Sequence, residues 1–331
     1  MLRKYALFVG VAALGALVTS CGGDDTGTPT PSPTATGTAT PTPTPTPTPI
    51  VDFDLQGDFA TESTNANYAF AYFTPDAGGT ETFSGASRLN GLATISLALA
   101  PEQVQFGFPD LDDPVSFGAT ELTDASATVR SYARGDEKLV LELPFEHVLR
   151  VSYESQVDFT RDTTDGVLRG ERTALFFNPV TTDEDIAADL DYSGSVEVVG
   201  GDPTVTPSGA ISAQDVTFTI SEADSSINGT IEIYRDNNGT PELVAKLVFE
   251  RTTNSSGTVT GGVLNSNGTF SGILTDEANQ FAGTFAGALS GPDREEIFIL
   301  FSVSGTTDAD DDGDVDEDDD RRFVGSFIGK R

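Results

Sequence analysis

The sequence is poor in the residues on which most redox, metal and nucleophilic chemistry depends. Its one cysteine, Cys21, cannot form an intrachain disulfide, and with one histidine, His147, neither a zinc cage nor a Cys/His catalytic pair is available. Basic residues are scarce as well. The 18 Lys and Arg stand against 52 Asp and Glu, a formal net charge of −34. A field of that sign keeps the chain soluble and repels nucleic acid and anionic membrane surfaces, so a nucleic-acid partner is not expected. From Val51 onward there is no sustained 3.6-residue periodicity, so helices are not expected there. The chemistry that remains falls to carboxylates, hydroxyls or a bound hard cation.

What is present at the N-terminus is an address and a tether. In residues 1–20, Arg3 and Lys4 form a charged start and Tyr5 to Val18 are almost all apolar or small, the pattern of a secretory signal. The apolar run is short of the roughly 20 residues that a transmembrane helix needs. Val18-Thr19-Ser20-Cys21 resembles a bacterial lipobox, in which cleavage leaves Cys21 first and its thiol and amine are acylated with diacylglycerol and a fatty acyl chain such as palmitate. Several acyl chains on one residue exceed the single-chain threshold for stable anchoring. Gly22-Gly23-Asp24 follows, without an Asp directly after the cysteine, which favours the outer membrane over retention in the inner one. Residues 21–50 continue as a linker of Thr, Pro, Ser, Gly and Ala that ends in the alternation from Thr40-Pro41 to Thr48-Pro49. Such a stretch buries nothing and lacks half its amide donors, so it is expected to be disordered and extended, spanning on the order of 70 Å at about 3.1 Å per residue. Attachment of glycans is the other reading of Thr/Pro repeats.

The rest reads as strand. Short alternating or β-branched runs recur, broken by Gly, Asn, Asp and Pro. Residues 51–185 give a less regular, handle-like β domain, with runs such as Ala69–Phe73, Ala93–Leu97, Ala127–Arg130, Lys138–Leu143, Leu149–Tyr153 and Arg172–Phe177. Residues from Asn178-Pro179 to Ala188 read as its exit linker. Residues 186–331 are more regular and offer eight strands: 192–199, 215–221, 226–234, 243–251, 269–274, 280–289, 297–305 and 322–329. Asn228-Gly229, Asn238-Gly239 and Asn267-Gly268 predict tight hairpin turns. Phe followed by Gly two residues on, as in Phe281-Ala282-Gly283-Thr284-Phe285-Ala286-Gly287, puts a large ring and a bare backbone on one strand face, which suits a tightly curved sheet. The fold class is therefore all-β, with an eight-stranded antiparallel barrel at the C-terminal end whose last strand closes on its first. A β-sandwich fits the same strand count.

Together, Tyr192-Ser193-Gly194-Ser195-Val196, Gly268-Thr269-Phe270-Ser271-Gly272, Phe281–Phe285, Gly291-Pro292-Asp293-Arg294-Glu295-Glu296 and the terminal Ser326-Phe327-Ile328-Gly329-Lys330-Arg331 carry a resemblance. The region resembles the C-terminal barrel of a lobe of the transferrin-binding-protein-like surface lipoproteins of Gram-negative bacteria. That resemblance implies a handle domain and an eight-stranded barrel, a lipid anchor in the outer leaflet, and capture of extracellular ligands through loops at one end. Members take host iron proteins, complement regulators, haem proteins or other solutes, and some act with a TonB-dependent receptor. This chain has one lobe rather than two, so no transferrin contact is carried over. A monomer is expected.

The remaining candidate for specific chemistry is the acidic run between the last two strands. On a twelve-residue calcium loop, Asp308, Asp310 and Asp312 take positions 1, 3 and 5 and Gly313 the sharp turn. Asp314 then offers its carbonyl, and Asp316 and Asp319 take positions 9 and 12. Asp319 replaces the usual bidentate Glu and strands flank the loop, so affinity is expected in the weak range of about 10⁻⁴ to 10⁻³ M, with a structural role. The alternative is a solvated acidic hairpin tip. Glu295-Glu296 cannot flank a glycosidic bond, because neighbouring strand residues point to opposite faces; they read as barrel-rim residues. His147 has no nucleophile motif beside it and reads as a structural or surface histidine. The three Asn-Gly-Thr triplets match glycosylation sequons but also serve as turn formers. These observations give a non-enzymatic, surface-anchored binding protein, with a structural or adhesive cell-envelope protein as the rival.

Overall fold

Alternation of apolar and polar residues along short segments builds three layers of antiparallel sheet. The structure, a computed structural model, describes residues 52–202, 205–206, 211–237, 239–305 and 321–331, and among these there is no helix. The first half contains β1 (Phe59–Thr64), β2 (Asn67–Pro75), β3 (Thr82–Leu89), β4 (Leu92–Leu99), β5 (Glu102–Gly107) and β6 (Val115–Gly118). It continues with β7 (Leu122–Ala125), β8 (Val129–Arg134), β9 (Glu137–Glu142), β10 (Val148–Arg161) and β11 (Thr164–Phe177). These make a four-stranded sheet in the order β1-β4-β5-β6 and a seven-stranded sheet in the order β3-β2-β11-β10-β9-β8-β7.

The second half contains β12 (Leu190–Gly201), β13 (Ile211–Ala213), β14 (Val216–Ile220), β15 (Ile227–Asn237), β16 (Thr240–Phe249) and β17 (Thr252–Thr253). After β18 (Val259–Gly261) come β19 (Thr269–Asp276), β20 (Phe281–Ser290), β21 (Glu296–Gly305) and β22 (Arg322–Lys330). All eight strands expected of the barrel are present, as β12, β14, β15, β16, β19, β20, β21 and β22. The closing contact is direct: β22 pairs with β12 along its length, from Ser193↔Lys330 to Gly201↔Arg322. This is the geometry of a barrel and not of a sandwich.

The interior of the barrel shows why its sequence alternates aromatic residues with glycine. Tyr192, Phe218, Phe249, Phe270, Phe285, Phe301 and Phe327 form one buried core. Phe218 meets Phe327 at 4.7 Å and Phe249 at 5.0 Å between ring centroids, and Phe249 meets Phe285 at 5.0 Å. Phe327 lies over Gly329 of its own strand, and several other rings lie over glycines of the adjacent strand. Phe270 is registered with Gly287, Gly272 with Phe285 and Phe301 with Gly325. A methyl added at Gly287 or Gly272 would stand 2.5 Å from the facing ring.

Asn228-Gly229 departs from expectation. It lies inside β15 and not in a turn, because Gly229 is where the Phe218 ring presses on the backbone and leaves no room for a Cβ. Gly239 and Gly268 do have positive φ (84° and 79°), the left-handed conformation that favours glycine in turns. A second departure concerns closure. β16 and β19 lie side by side without a strand ladder. The long connection that carries β17 and β18 fills part of this seam, with Gly262 N donating to Ser271 O at 2.8 Å and Ile227 N to Gly262 O at 2.9 Å.

The described residues all belong to one compact unit. The four-stranded sheet packs Ile95, Leu97, Val104, Phe106 and Phe117 against Leu139, Leu141, Val151, Tyr153 and Phe176 of the seven-stranded sheet. The opposite face of the latter packs Tyr68, Tyr72, Val148 and Leu175 against Phe298, Leu300, Val324 and Ile328 on the outside of the barrel. β21 is therefore covered on both faces, which explains its unbroken run Ile297-Phe298-Ile299-Leu300-Phe301.

Candidate ligand cleft at one end of the barrel

The end of the barrel where β14, β16, β20 and β22 finish and β12, β15, β19 and β21 begin carries a cleft of about 610 Å³. Residues 178–189 contain no strand and cross this end. Val180, Ile186 and Leu264 sit on the barrel core and form the apolar floor. The walls are polar: Thr181 to Asp185, Glu222, Ser225, Asn265 to Gly268, and Arg294.

Backbone bonds brace these loops against one another. Thr181 N and Thr182 N donate to Pro292 O at 3.1 and 3.0 Å, and Leu264 N donates to Ser225 O at 2.9 Å. Leu289 N donates to Gly268 O at 2.9 Å. The Gly-Pro-Asp-Arg-Glu-Glu turn supplies the central post. Arg294 takes a positive φ of 64°, its carbonyl accepts from the Tyr192 hydroxyl at 2.8 Å, and its Nη2 donates to Glu184 O at 2.6 Å. Glu295 accepts from Asp293 N at 2.9 Å and so stabilises the turn. The cleft thus has four carboxylates, Asp183, Glu184, Asp185 and Glu222, against the one guanidinium of Arg294. Such walls hydrogen-bond hydroxyls and amides and attract positive charge.

Beneath the turn lies the junction between barrel and handle. Glu296 is buried, and its carboxylate accepts from Glu146 N at 2.7 Å and from His147 N at 3.0 Å. Burial outweighs these donors and raises the Glu296 carboxyl above the ordinary range. His147 is itself buried, with its Nδ1 3.3 Å from Asp52 Oδ1, and the Ser290 hydroxyl donates to His147 O at 2.7 Å. Both residues are structural, and they fix the end of the barrel that carries the cleft.

A second concavity runs between handle and barrel, lined by Tyr68, Phe70, Glu171, Glu197, Val199 and Ile211. Burial, then the neighbouring Glu154 and Glu197, raise the Glu171 carboxyl. Burial also raises Glu197, although Arg150 opposes it from 2.5 Å.

The expected acylation site Cys21 and the expected calcium ligands Asp308, Asp310, Asp312, Asp314, Asp316 and Asp319 lie outside the described residues. The strand ends on either side of that acidic run, Gly305 and Arg322, lie at the end of the barrel opposite the cleft. Among the described residues no group of three or more His, Cys, Asp or Glu side chains is placed to hold a metal ion. In the sequence, residues 180–186 carry only the pattern of a linker. Nothing in a short acidic segment shows that it will be folded over the end of a barrel whose strands come from far along the chain.

No family model matches the sequence, and no curated protein matches it. Among solved structures, the isotype 1 transferrin binding protein B of serogroup B Neisseria meningitidis matches over 76% of this chain and 53% of its own, at 11% identity and a TM-score of 0.35. A point mutant of the transferrin binding protein B vaccine antigen of Haemophilus parasuis Hp5 matches over 86% of this chain and 78% of its own, at 8% identity and a TM-score of 0.28. This chain spans about half the length of the Neisseria protein. Likeness at this level assigns no role to a residue.

Proposed function

We propose that this chain is a non-enzymatic surface lipoprotein of the outer membrane, anchored through acylated Cys21, that binds an extracellular ligand in the cleft at the end of its barrel. The observation that carries the reading is the construction of that cleft: a polar, acid-walled opening on an apolar floor, held by cross-bonded loops on a closed barrel. Pre-formed concave sites on a rigid scaffold bind without first ordering their own loops. The resemblance seen in the sequence adds the outward-facing display and a TonB-dependent receptor as the acceptor of a captured ligand, protein or solute, including iron or haem cargo. The charge of the walls favours a polar or cationic ligand.

Capture from the natural extracellular medium tests this. The chain is expected to retain a component that the Asp183→Lys, Glu222→Lys double variant retains at least ten-fold less, because two wall charges are reversed. Equal retention by both forms, or none by either, would favour the adhesive or structural reading. Protease treatment of intact cells is expected to remove the protein from the surface.

We also propose that Asp308, Asp310, Asp312, Asp314, Asp316 and Asp319 bind calcium in a structural role. Millimolar calcium is then expected to raise the melting temperature relative to chelator, and replacing Asp308 and Asp319 with Asn is expected to abolish the difference. An unchanged melt would remove the ion from the account.

A further inference from the structure

The longest hairpin of the protein ends in an unprotected strand edge. β10 and β11 pair without a register shift from Val148↔Phe177 to Arg161↔Thr164, yet β9 covers β10 only from Arg150 to Glu154. β2 supports β11 as far as Gly166. From Ser155 to Arg161, therefore, the outer edge of β10 has no strand beside it among the described residues, and no backbone bond reaches it from another segment there. Gln156 to Thr160 are all exposed, including Val157 at 55% and Phe159 at 41%.

These two side chains continue the face on which Val151 and Tyr153 are buried under the four-stranded sheet. That sheet stops short of the tip, so the apolar face runs on into solvent. The tip is held in place: the Phe159 ring meets Phe73 edge-on at 6.2 Å, and the Arg161 guanidinium lies over the Phe73 ring at 4.4 Å. Edges of this kind are usually blunted by lysine, proline, a bulge or a cover. Ser155-Gln156-Val157-Asp158-Phe159-Thr160-Arg161 has no lysine, proline, bulge or cover, and its charges are limited to Asp158 and to Arg161, whose guanidinium is turned onto the Phe73 ring.

We propose that this edge is a docking site for an extended, positively charged segment of a partner protein, which pairs with β10 and adds a strand to the handle sheet. Backbone pairing would satisfy the open edge, and apolar residues at alternate positions would cover Val157 and Phe159. The other face presents Asp158, with Asp162 and Asp165 at the turn, while Glu154 toward the root is held by Arg169 at 2.8 Å; the charges left open near the tip are acidic, so the intervening partner residues should be basic. The same charge argues against a second copy of this chain, which would bring another net charge of −34 to the edge. This surface is separate from the cleft and does not depend on the function proposed for it.

The test is amide hydrogen exchange on the full chain with a capped seven-residue peptide that alternates lysine and valine. Alternate amides between Ser155 and Arg161 are expected to slow at least ten-fold. A peptide of the same sequence N-methylated at alternate residues, which keeps the charge and loses the donors, is expected to give no protection. Val157→Lys with Phe159→Lys, both at exposed positions, should abolish protection while leaving the melt intact. Three results would overturn the proposal: unchanged exchange at 155–161, equal protection by the methylated peptide, or equal protection by a peptide with glutamate in place of lysine. Sedimentation of the free chain as a dimer that Val157→Lys dissociates would overturn it too, by assigning the edge to a second copy.

Discussion

Replacing Gly325 with valine should strongly destabilise the closed barrel. Gly325 sits on β22 between Val198 of β12 and Phe301 of β21, at the last seam the chain forms. A Cβ there would point at the Phe301 ring, 2.7 Å from its Cζ, and would overlap the carbonyl oxygen of Glu197. The ring is fully buried and Glu197 O belongs to the paired backbone, so neither can move aside without breaking the core or the ladder. Overpacking of this kind costs about 3 kcal/mol or more. At roughly 2–4 °C per kcal/mol for a domain of similar size, the melting temperature should drop by about 10 °C. Adding Phe301→Ala should recover little, since the backbone overlap remains and a cavity is added. Equilibrium denaturation of the single and double variants measures both effects. A change below about 1 kcal/mol for Gly325→Val would refute the interlocking of ring and glycine as the basis of closure.

Asp276→Ala should produce the second largest loss, for a different reason. β16 and β19 share no ladder, and the buried Asp276 carboxylate stands in for one. It accepts from Lys246 N at 2.6 Å, from Asn279 N at 3.1 Å and from Asn279 Nδ2 at 2.8 Å. Removing it leaves these donors without their acceptor, at a cost of about 2–4 kcal/mol, whereas Asp276→Asn keeps an acceptor and should cost about half as much.

The pH dependence separates the two substitutions from a general loss of packing. Burial alone would raise the Asp276 carboxyl, but the bonds from the Asn279 side chain and from the Lys246, Asn279 and Ala278 backbone outweigh it and hold the carboxyl below its ordinary range. A lowered carboxyl stabilises the fold fully above the ordinary aspartate value of about 3.9, and that contribution is lost as pH falls through the folded value. Glu171, Glu197 and Glu296 are raised and act in the opposite sense: their ionisation costs stability as pH climbs from about 4.3 through their folded values. Denaturation between pH 3 and 7 should therefore show the difference between the native chain and Asp276→Asn shrinking in acid. A difference that does not vary with pH would show that the carboxylate is not what holds the seam.

The handle was less legible in the sequence than the barrel. Leu149–Tyr153 and Arg172–Phe177 were visible because apolar side chains alternate there, yet β10 runs on to Arg161 and β11 starts at Thr164. The extra residues of β10 from Gln156 to Thr160 are exposed and mix polar side chains with Val157 and Phe159, so pairing with β11, not burial, keeps them extended. β1, β3, β5, β6 and β7 were missed for a related reason: their short runs gain meaning only from the partner they pair with. Asn228-Gly229 shows the converse error. The local signal for a turn was present, but the space needed by the Phe218 ring, distant in sequence, used the glycine in a strand.

Strand periodicity and the spacing of phenylalanine and glycine were sufficient to determine an all-β chain and its eight C-terminal strands, because both signals are local and repeat every second residue, while barrel over sandwich was decided by the pairing of β22 with β12. Tertiary structure alone decided three further things: the cleft over the barrel end, the side-chain closure at Asp276 and the bare edge of β10. Each joins or leaves apart segments far from one another in the chain, and their geometry depends on where the backbone brings those segments rather than on the pattern within any one of them.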